Sequence, residues 1–300
     1  MVPFTKPEIS FFPSGTVAKE ALFSILIPSW NNLEMLRFCV DSILQNSSFQ
    51  HQIIIHINEG TDGTLEWVKE SGFDYSYSSM NAGVCYAVNA MASMTKTDFI
   101  LYLNDDMYVC KGWDSALWQR ASSYKHRLWY LSGSMIEPLK STSECVVSPH
   151  DFGRDPTAFM RKELDTFVSK LKRNDWFGAS WPPSLVPKEL FEKVGGYSEE
   201  FSPGMYSDPD FSMKLWQAGV REFRGIGSSF VYHFMSKSTA RVKKNNGRKQ
   251  FAVKWGIPAS FFYKSFLLIG EPYKKGKILN PPGILPTLIA KLKAIWISIR

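Results

Sequence analysis

The chain has 300 residues, 44% of them hydrophobic and 21% charged, a balance typical of globular proteins that excludes a disordered or low-complexity chain. The net charge of +7 favours anionic partners such as nucleotide phosphates, nucleic acid or an anionic membrane surface. No run approaches the ~20 apolar residues of a membrane span, and the first residues lack the pattern of a secretory signal.

Strands and helices alternate in the first part of the chain, after an irregular lead-in expected over residues 1–20. Hydrophobic periodicity predicts strands at 23–27, 53–57, 75–78 and 99–103, and helices at 33–44, 65–70 and 84–94. Such alternation implies right-handed crossovers and a mostly parallel sheet. Ligands of such sheets bind beyond the carboxyl ends of the strands.

The second part of the chain is less regular. We expect a strand at 129–135, a loop-rich stretch at 138–160 and a strand at 230–232. We expect helices at 162–172, 187–194, 208–218 and 285–300, with a basic stretch at 241–250.

Polar clusters follow three of the predicted strands, at 28–31, 58–62 and 104–106. In the last of these, the adjacent carboxylates of Asp105 and Asp106 repel each other at the end of a buried strand. A divalent cation such as Mg²⁺ or Mn²⁺ would offset that repulsion, because these ions prefer carboxylate and phosphate oxygens. A solvated turn after the strand is the alternative interpretation.

Segments 24–31, 57–64, 81–83 and 103–106, in this order, resemble the successive motifs of family 2 glycosyltransferases. The resemblance covers about residues 22–235. It implies an α/β fold of the GT-A type, the Rossmann-like fold of nucleotide-diphospho-sugar transferases with a mostly parallel central sheet. The implied reaction is an inverting, metal-assisted transfer from a nucleotide-diphosphate sugar to a hydroxyl of a glycan or lipid-linked acceptor, as in polysaccharide biosynthesis.

The resemblance also implies roles for individual residues. Asp106 and His233 would bind Mn²⁺ or Mg²⁺, although a lone histidine is more often structural. The nucleotide sugar would be bound by Pro28, Trp30, Asn31, Asn58, Glu59, Asn81, Asn104 and Asp105. Packing over the sheet end is the alternative for Trp30, and a turn is the alternative for Asn81.

The catalytic base is expected on the predicted helix 208–218. In the family it lies six positions before a basic residue, and six positions before Lys214 is Asp208. Asp208 would take the proton of the acceptor hydroxyl. Trp176, Trp181 and Asp210 are expected on the acceptor side. Core packing is the alternative for the tryptophans, a structural role on the first turn is the alternative for Asp210, and helix capping is the alternative for both acids.

We expect a GT-A domain over residues 21–238, with a nucleotide-binding half at about 21–110 and an acceptor-binding half at about 111–238. A basic helical extension follows at 239–300. Its last helix carries an apolar face flanked by lysines, which would contact an anionic membrane surface or pack on the protein itself or a second subunit. The apolar face consists of Leu285, Leu288, Ile289, Leu292, Ile295, Trp296 and Ile299.

Two rival functions stay open from the residues alone. A nucleotidyltransferase-like α/β phosphotransfer enzyme would also place acids and a metal at strand ends, but segment 28–31 lacks the Gly and Lys of a phosphate loop. The other rival function is a non-catalytic module that binds nucleic acid or membrane through its basic C-terminal part. We expect no nucleic-acid partner. The four cysteines form no Cys-x-x-Cys pair, which argues against a zinc ribbon or a dithiol redox site. Their mostly apolar surroundings favour reduced thiols in a cytoplasmic protein, free or at the inner face of a membrane.

Overall fold

The computed structural model describes residues 7–15, 20–236 and 244–299. Parts of the expected lead-in (1–6 and 16–19) and of the basic extension (239–243 and residue 300) lie outside the described residues. In the described part of the lead-in, Ser10–Phe12 forms an edge strand that pairs with Asp74–Ser78. The expectation of an irregular lead-in was therefore wrong for this segment.

One mixed sheet of 11 strands runs through the described part of the chain. The strands are β1 (Ser10–Phe12), β2 (Ser24–Trp30), β3 (Gln52–Asn58), β4 (Asp74–Ser78), β5 (Phe99–Tyr102), β6 (Met107–Val109), β7 (Trp129–Ile136), β8 (Val146–Val147), β9 (Trp176–Phe177), β10 (Ser184–Pro187) and β11 (Glu222–His233). Their main order is β1-β4-β3-β2-β5-β10-β7-β11-β6, with β8 beside β7 and β9 beside β11.

The core of this sheet is parallel, as predicted. Strands β4, β3, β2 and β5 run parallel to one another, and β7 runs parallel to β11. Strand β10 joins the two groups because it lies antiparallel between β5 and β7.

Helices cover both faces of the sheet. They are α1 (Leu33–Asn46), α2 (Thr64–Ser71), α3 (Gly83–Ala92), α4 (Trp113–Ala121), α5 (Arg161–Lys170), α6 (Lys188–Lys193), α7 (Ser207–Gln217), α8 (Gly247–Trp255), α9 (Ala259–Phe261) and α10 (Ile284–Ile299). Alternate residues of β2 point to opposite faces of the sheet. Ile25 and Ile27 pack with α1, α2 and α4, whereas Leu26 packs with α3, α6 and α7. The continuous apolar runs of β2 and β3 are therefore those of strands buried on both faces.

The extension after residue 244 is largely part of the main body. Phe251 of α8 and Phe262, which follows α9, are fully buried in the same core as α7. The last helix, α10, packs on α8 through Ala294 and Ile297, which cluster with Ala252. Its apolar face points away from that contact and is 49% to 78% exposed. Among the described residues, no helix is long and apolar enough to cross a bilayer.

Candidate functional site

A cavity of about 440 Å³ lies beyond the carboxyl ends of β2, β3 and β5, closed on its far side by the start of α7. This is the place where a parallel sheet of this kind binds ligands. Of the predicted site residues, the cavity is lined by Pro28, Trp30, Asn58, Asn81, Asn104, Asp105, Asp106, Asp208 and His233. Residues from distant parts of the sequence therefore meet in one pocket.

The two acids between β5 and β6 have different partners. Asp105 accepts a 2.7 Å hydrogen bond from the Ser29 hydroxyl at the end of β2. Asp106 accepts a 2.8 Å bond from the backbone N–H of Ser236 on Oδ2, while its Oδ1 lies 3.5 Å from His233 Nε2. The acids thus tie β5 to β2 and to the end of β11.

Strand register places His233 between two carboxylates. In the antiparallel pair β6–β11, His233 lies opposite Met107, next to Asp106. In the parallel pair β7–β11, Tyr232 lies opposite Ile136, next to Glu137. The His233 ring consequently contacts Glu137 Oε1 through Nδ1 at 2.8 Å and faces Asp106 with Nε2.

These charges shift the titration of the cluster. Burial lowers the pKa of His233, but the charges and hydrogen bonds of Asp106 and Glu137 outweigh it and raise the pKa to about 10. Burial likewise raises the pKa of Asp106, but His233 and the Ser236 backbone bring it below its usual value. In the protein alone, Asp106 is a carboxylate neutralised by His233.

The donor set fits a divalent cation held jointly with a ligand. A carboxylate oxygen and an imidazole nitrogen face each other, and Glu137 backs the far ring nitrogen, as carboxylates do behind metal-bound histidines. Within the described ranges, no group of three His, Cys, Asp or Glu side chains gathers to hold a metal. A cation at Asp106 would therefore need further oxygen ligands, which phosphates supply to Mg²⁺ and Mn²⁺.

Asp208, in the first turn of α7, lines the same pocket. Burial raises its pKa to about 7, and the nearby Tyr197 side chain offsets part of that effect. Burial raises the pKa of Tyr102, Tyr130 and Tyr263, and the charge of Asp208 raises the pKa of each further. A carboxyl group with a pKa near 7 is suited to general base catalysis.

Asp210 is not on the pocket wall. It is fully buried, and its Oδ1 accepts a 2.8 Å hydrogen bond from Trp255 Nε1 and lies 2.9 Å from Lys254 Nζ. The carboxylate faces α8, which fits the structural role for Asp210; an acceptor-side role stays a prediction. Lys214 also has a structural partner, donating 2.6 Å to the carbonyl of Gly196.

Asn31, Asn58 and Glu59 organise the loops around the pocket. The side-chain amide of Asn58 bonds two backbone groups: it donates to Ser29 O and accepts from Ala82 N. Asn31 donates to Glu59 and accepts from Thr61 N, and neither Asn31 nor Glu59 lines the cavity. Asn58 therefore fixes the wall that it lines, and Asn31 and Glu59 fix the loop after β3.

The two acceptor-side tryptophans differ. Trp176 is buried against Gly225, where any larger residue would collide with its ring, and it donates to Ser134. It is a core residue, which corrects the expectation for it. Trp181 is half-buried, with its ring edge-on to Tyr263, and does not line the cavity. An acceptor-side role for Trp181 stays a prediction.

Two residues of the site were missed by sequence reasoning: Ser29, which lines the pocket, and Glu137, which contacts the His233 ring from outside it. Each lies at or just after the end of an apolar strand, so the rule that placed Asp106 at a strand end also indicates them. Residues 203–205, which form another part of the pocket wall, show no such sequence pattern. Their close approach to α3 depends on Gly83, whose φ is +77° and whose missing Cβ would lie 2.7 Å from Pro203 Cα. The adjacent Val84 N–H donates to Pro203 O.

Comparison with known proteins gives one family model and several proteins of similar fold. Residues 24–132 match the family model described as glycosyl transferase family 2. A curated protein of Sinorhizobium fredii, the uncharacterized protein y4gI, is 26% identical over 77% of this chain. The chain spans only 26% of the length of that relative.

Solved glycosyltransferase structures share the fold. The crystal structure of GalNAc-T7 with UDP, GalNAc and Mn²⁺ has a TM-score of 0.57 at 14% identity, covering 83% of this chain and 51% of that one. The crystal structure of S. aureus TarS 1-349 has a TM-score of 0.54 at 13% identity, covering 78% and 65% respectively. The chain thus has the GT-A fold, as the sequence motifs predicted.

Proposed function

Because residues 24–132 match the model of glycosyl transferase family 2, we propose that this chain is an inverting glycosyltransferase working from the pocket described above. Its donor is a nucleotide-diphosphate sugar, and its acceptor is a hydroxyl of a glycan or lipid-linked molecule. UDP is the first nucleotide to test, since it is named in the GalNAc-T7 structure and in a complex of TarS 1-349.

One observation carries the proposal. The pocket is lined by Asp105, Asp106 and His233 and also by Asp208, whose pKa is about 7. The first three residues suit a cation and a diphosphate, and Asp208 suits proton removal from an acceptor. A metal-assisted, inverting glycosyl transfer needs both in one cavity.

The reaction is a single displacement at the anomeric carbon. The acceptor oxygen forms a bond to that carbon as the bond to the β-phosphate oxygen breaks, and the nucleoside diphosphate leaves with the bonding electron pair. Asp208 takes the proton that the acceptor hydroxyl loses. Attack from the face opposite the leaving group inverts the configuration, and no covalent sugar–enzyme intermediate is needed.

The chain's own groups prepare the donor side. Asp106 and His233 would hold Mn²⁺ or Mg²⁺, which, when bound, neutralises the charge of the departing diphosphate. Ser29 holds Asp105 at the pocket wall, and Glu137 holds the His233 ring so that Nε2 points at Asp106. The Trp30 ring, which lines the pocket, offers a surface on which a nucleotide base can stack.

The test measures nucleotide binding first and turnover second. Isothermal calorimetry with UDP and GDP, each with and without Mn²⁺, should show binding that requires the metal in the wild-type chain. Asp106→Ala should remove this metal-dependent nucleotide binding, and Asp41→Ala, a change of an exposed acid on α1, should not. Slow hydrolysis of a panel of nucleotide sugars then identifies the donor. Unchanged metal-dependent binding in Asp106→Ala would overturn the assignment.

A further inference from the structure

The last helix, α10, presents two unlike faces. One face, with Ala290, Ala294 and Ile297, is buried against the body of the protein. The apolar face lies on the other side and stays 49% to 78% exposed. The exposed large apolar side chains of the described residues are concentrated here, which is unusual for a surface that meets only water.

The lysines of α10 border this exposed face. At about 100° per residue, its apolar side chains together with Ile284 span an arc of roughly 140°. Lys291 falls just beyond one edge of the arc and Lys293 just beyond the other, and both are exposed. An apolar stripe with a cation on each flank is the pattern of helices that lie in the plane of a membrane interface. Trp296, within the stripe, suits the headgroup boundary.

The surrounding sequence has a single sign of charge. Residues 272–299, which follow Glu271, contain five lysines and no aspartate or glutamate. The field near α10 is therefore positive, which attracts anionic lipid headgroups. A second copy is a poorer occupant, because pairing two α10 helices would bring two lysine-bearing segments together without an acid to offset them.

We propose that α10 is a membrane-docking helix that lies flat on an anionic bilayer, with its apolar face inserted and Lys291 and Lys293 on the headgroups. The opposite face keeps the helix fixed to α8 while it is docked. This contact is independent of sugar transfer, so it can be tested without donor or acceptor.

The experiment is co-sedimentation of the full chain with two kinds of vesicle. One is phosphatidylcholine alone, and the other is phosphatidylcholine mixed with phosphatidylglycerol. We expect the chain to sediment with the anionic vesicles at low salt and to be released as salt rises, because screening shortens the reach of the lysines. A chain that stays in the supernatant with anionic vesicles at low salt overturns the proposal.

Variants on the two parts of the stripe separate its contributions. Leu288→Gln/Leu292→Gln should weaken vesicle binding by roughly a hundredfold or more, since two leucines that would insert into the bilayer are lost. Lys291→Gln/Lys293→Gln should weaken it by roughly thirtyfold. The matched controls, Leu44→Gln on α1 and Lys69→Gln on α2, are equally exposed changes and should leave it unaltered.

Two further measurements distinguish membrane docking from packing of the stripe on the protein or on a second copy. All these side chains are exposed, so the melting temperatures of the variants should match that of the wild type; a marked fall would show that the stripe packs on the protein and overturn the proposal. Light scattering should show a monomer in the absence of vesicles. A dimer that Leu288→Gln/Leu292→Gln dissociates would assign the face to a second copy instead.

Discussion

Lys254 Nζ lies 2.9 Å from Oδ1 of the fully buried Asp210, and this ion pair joins α8 to the helix that carries Asp208. Trp255 donates to the same oxygen, and Lys254 also bonds Ser198 and Glu200 beside the pocket wall. The C-terminal extension therefore braces the wall of the active site.

Removal of Lys254 is expected to destabilise the protein. Lys254→Gln leaves the buried Asp210 charge without its partner, which should lower the free energy of unfolding by about 2–4 kcal/mol. Urea denaturation measures this change. Arg248→Gln, an exposed cation on the same helix, is the control and should shift the free energy by less than about 0.5 kcal/mol.

The double variant Asp210→Asn/Lys254→Gln should recover much of that loss, because no charge then remains buried. Equal destabilisation in the single and double variants would mean that the lysine acts through its packing and not through its charge.

The pH dependence of turnover should follow Asp208. With a pKa of about 7, its carboxyl group is mostly protonated at pH 6 and mostly ionised at pH 8. Only the ionised form accepts the acceptor's proton, so kcat/KM should rise with pH through about 7 and then level. Asp208→Asn should lower kcat by ~10²–10⁴-fold while nucleotide binding persists. Near-normal turnover of this variant would remove Asp208 from the mechanism.

The same substitution is expected to stabilise the protein. The folded-state pKa of Asp208, about 7, lies above the unfolded value of ~3.9, so the folded chain binds more protons between these values. Stability contributed by this group is lost as pH rises through that range. Asp208→Asn should therefore gain up to about 4 kcal/mol at pH 8, since each pKa unit corresponds to about 1.4 kcal/mol, and nothing near pH 3. Thermal unfolding of both proteins at several pH values measures the difference; an offset that does not change with pH would contradict it.

Glu137 should matter for metal affinity although it lines no part of the cavity. It holds the His233 ring at 2.8 Å, and loss of such a partner typically costs 10–100-fold in metal affinity. Glu137→Gln should weaken Mn²⁺-dependent UDP binding by about that factor, as measured by calorimetry. Glu163→Gln, an exposed acid on α5, serves as the control. An affinity equal to the wild type would show that the ring needs no support.

Local sequence patterns predicted the features that depend on local physics. The apolar runs gave β2 and β3, and the strand-end rule indicated Asp105 and Asp106. Features that depend on distant partners were missed. Strand β10 was missed because it has only four residues and because Pro187, at its end, is typical of the start of a helix. The register of β7 against β11 makes Glu137 the partner of His233, and hydrophobic periodicity carries no information about that register.

Burial explains why two of the residues named for the acceptor side do not line the pocket. Asp210 and Trp176 carry the residue types of an active site, yet one faces Lys254 and the other faces Gly225. Both partners are more than 40 positions away in sequence, so neither contact leaves a local pattern. Asp208 differs from Asp210 only by two positions on one helix, and its orientation toward the pocket follows from how α7 meets the sheet.

The place of β10 in the sheet bears on the order in which the protein can be made. Strand β10 pairs with β5 on one side and with β7 on the other, although it comes after both in the sequence. While a ribosome has released only the residues before 184, β5 and β7 each keep an open hydrogen-bonding edge. Open edges favour pairing with other chains. Fragments that end between residues 136 and 184 contain β5 and β7 without β10 and should therefore aggregate, and β7 keeps its other edge open until β11 emerges.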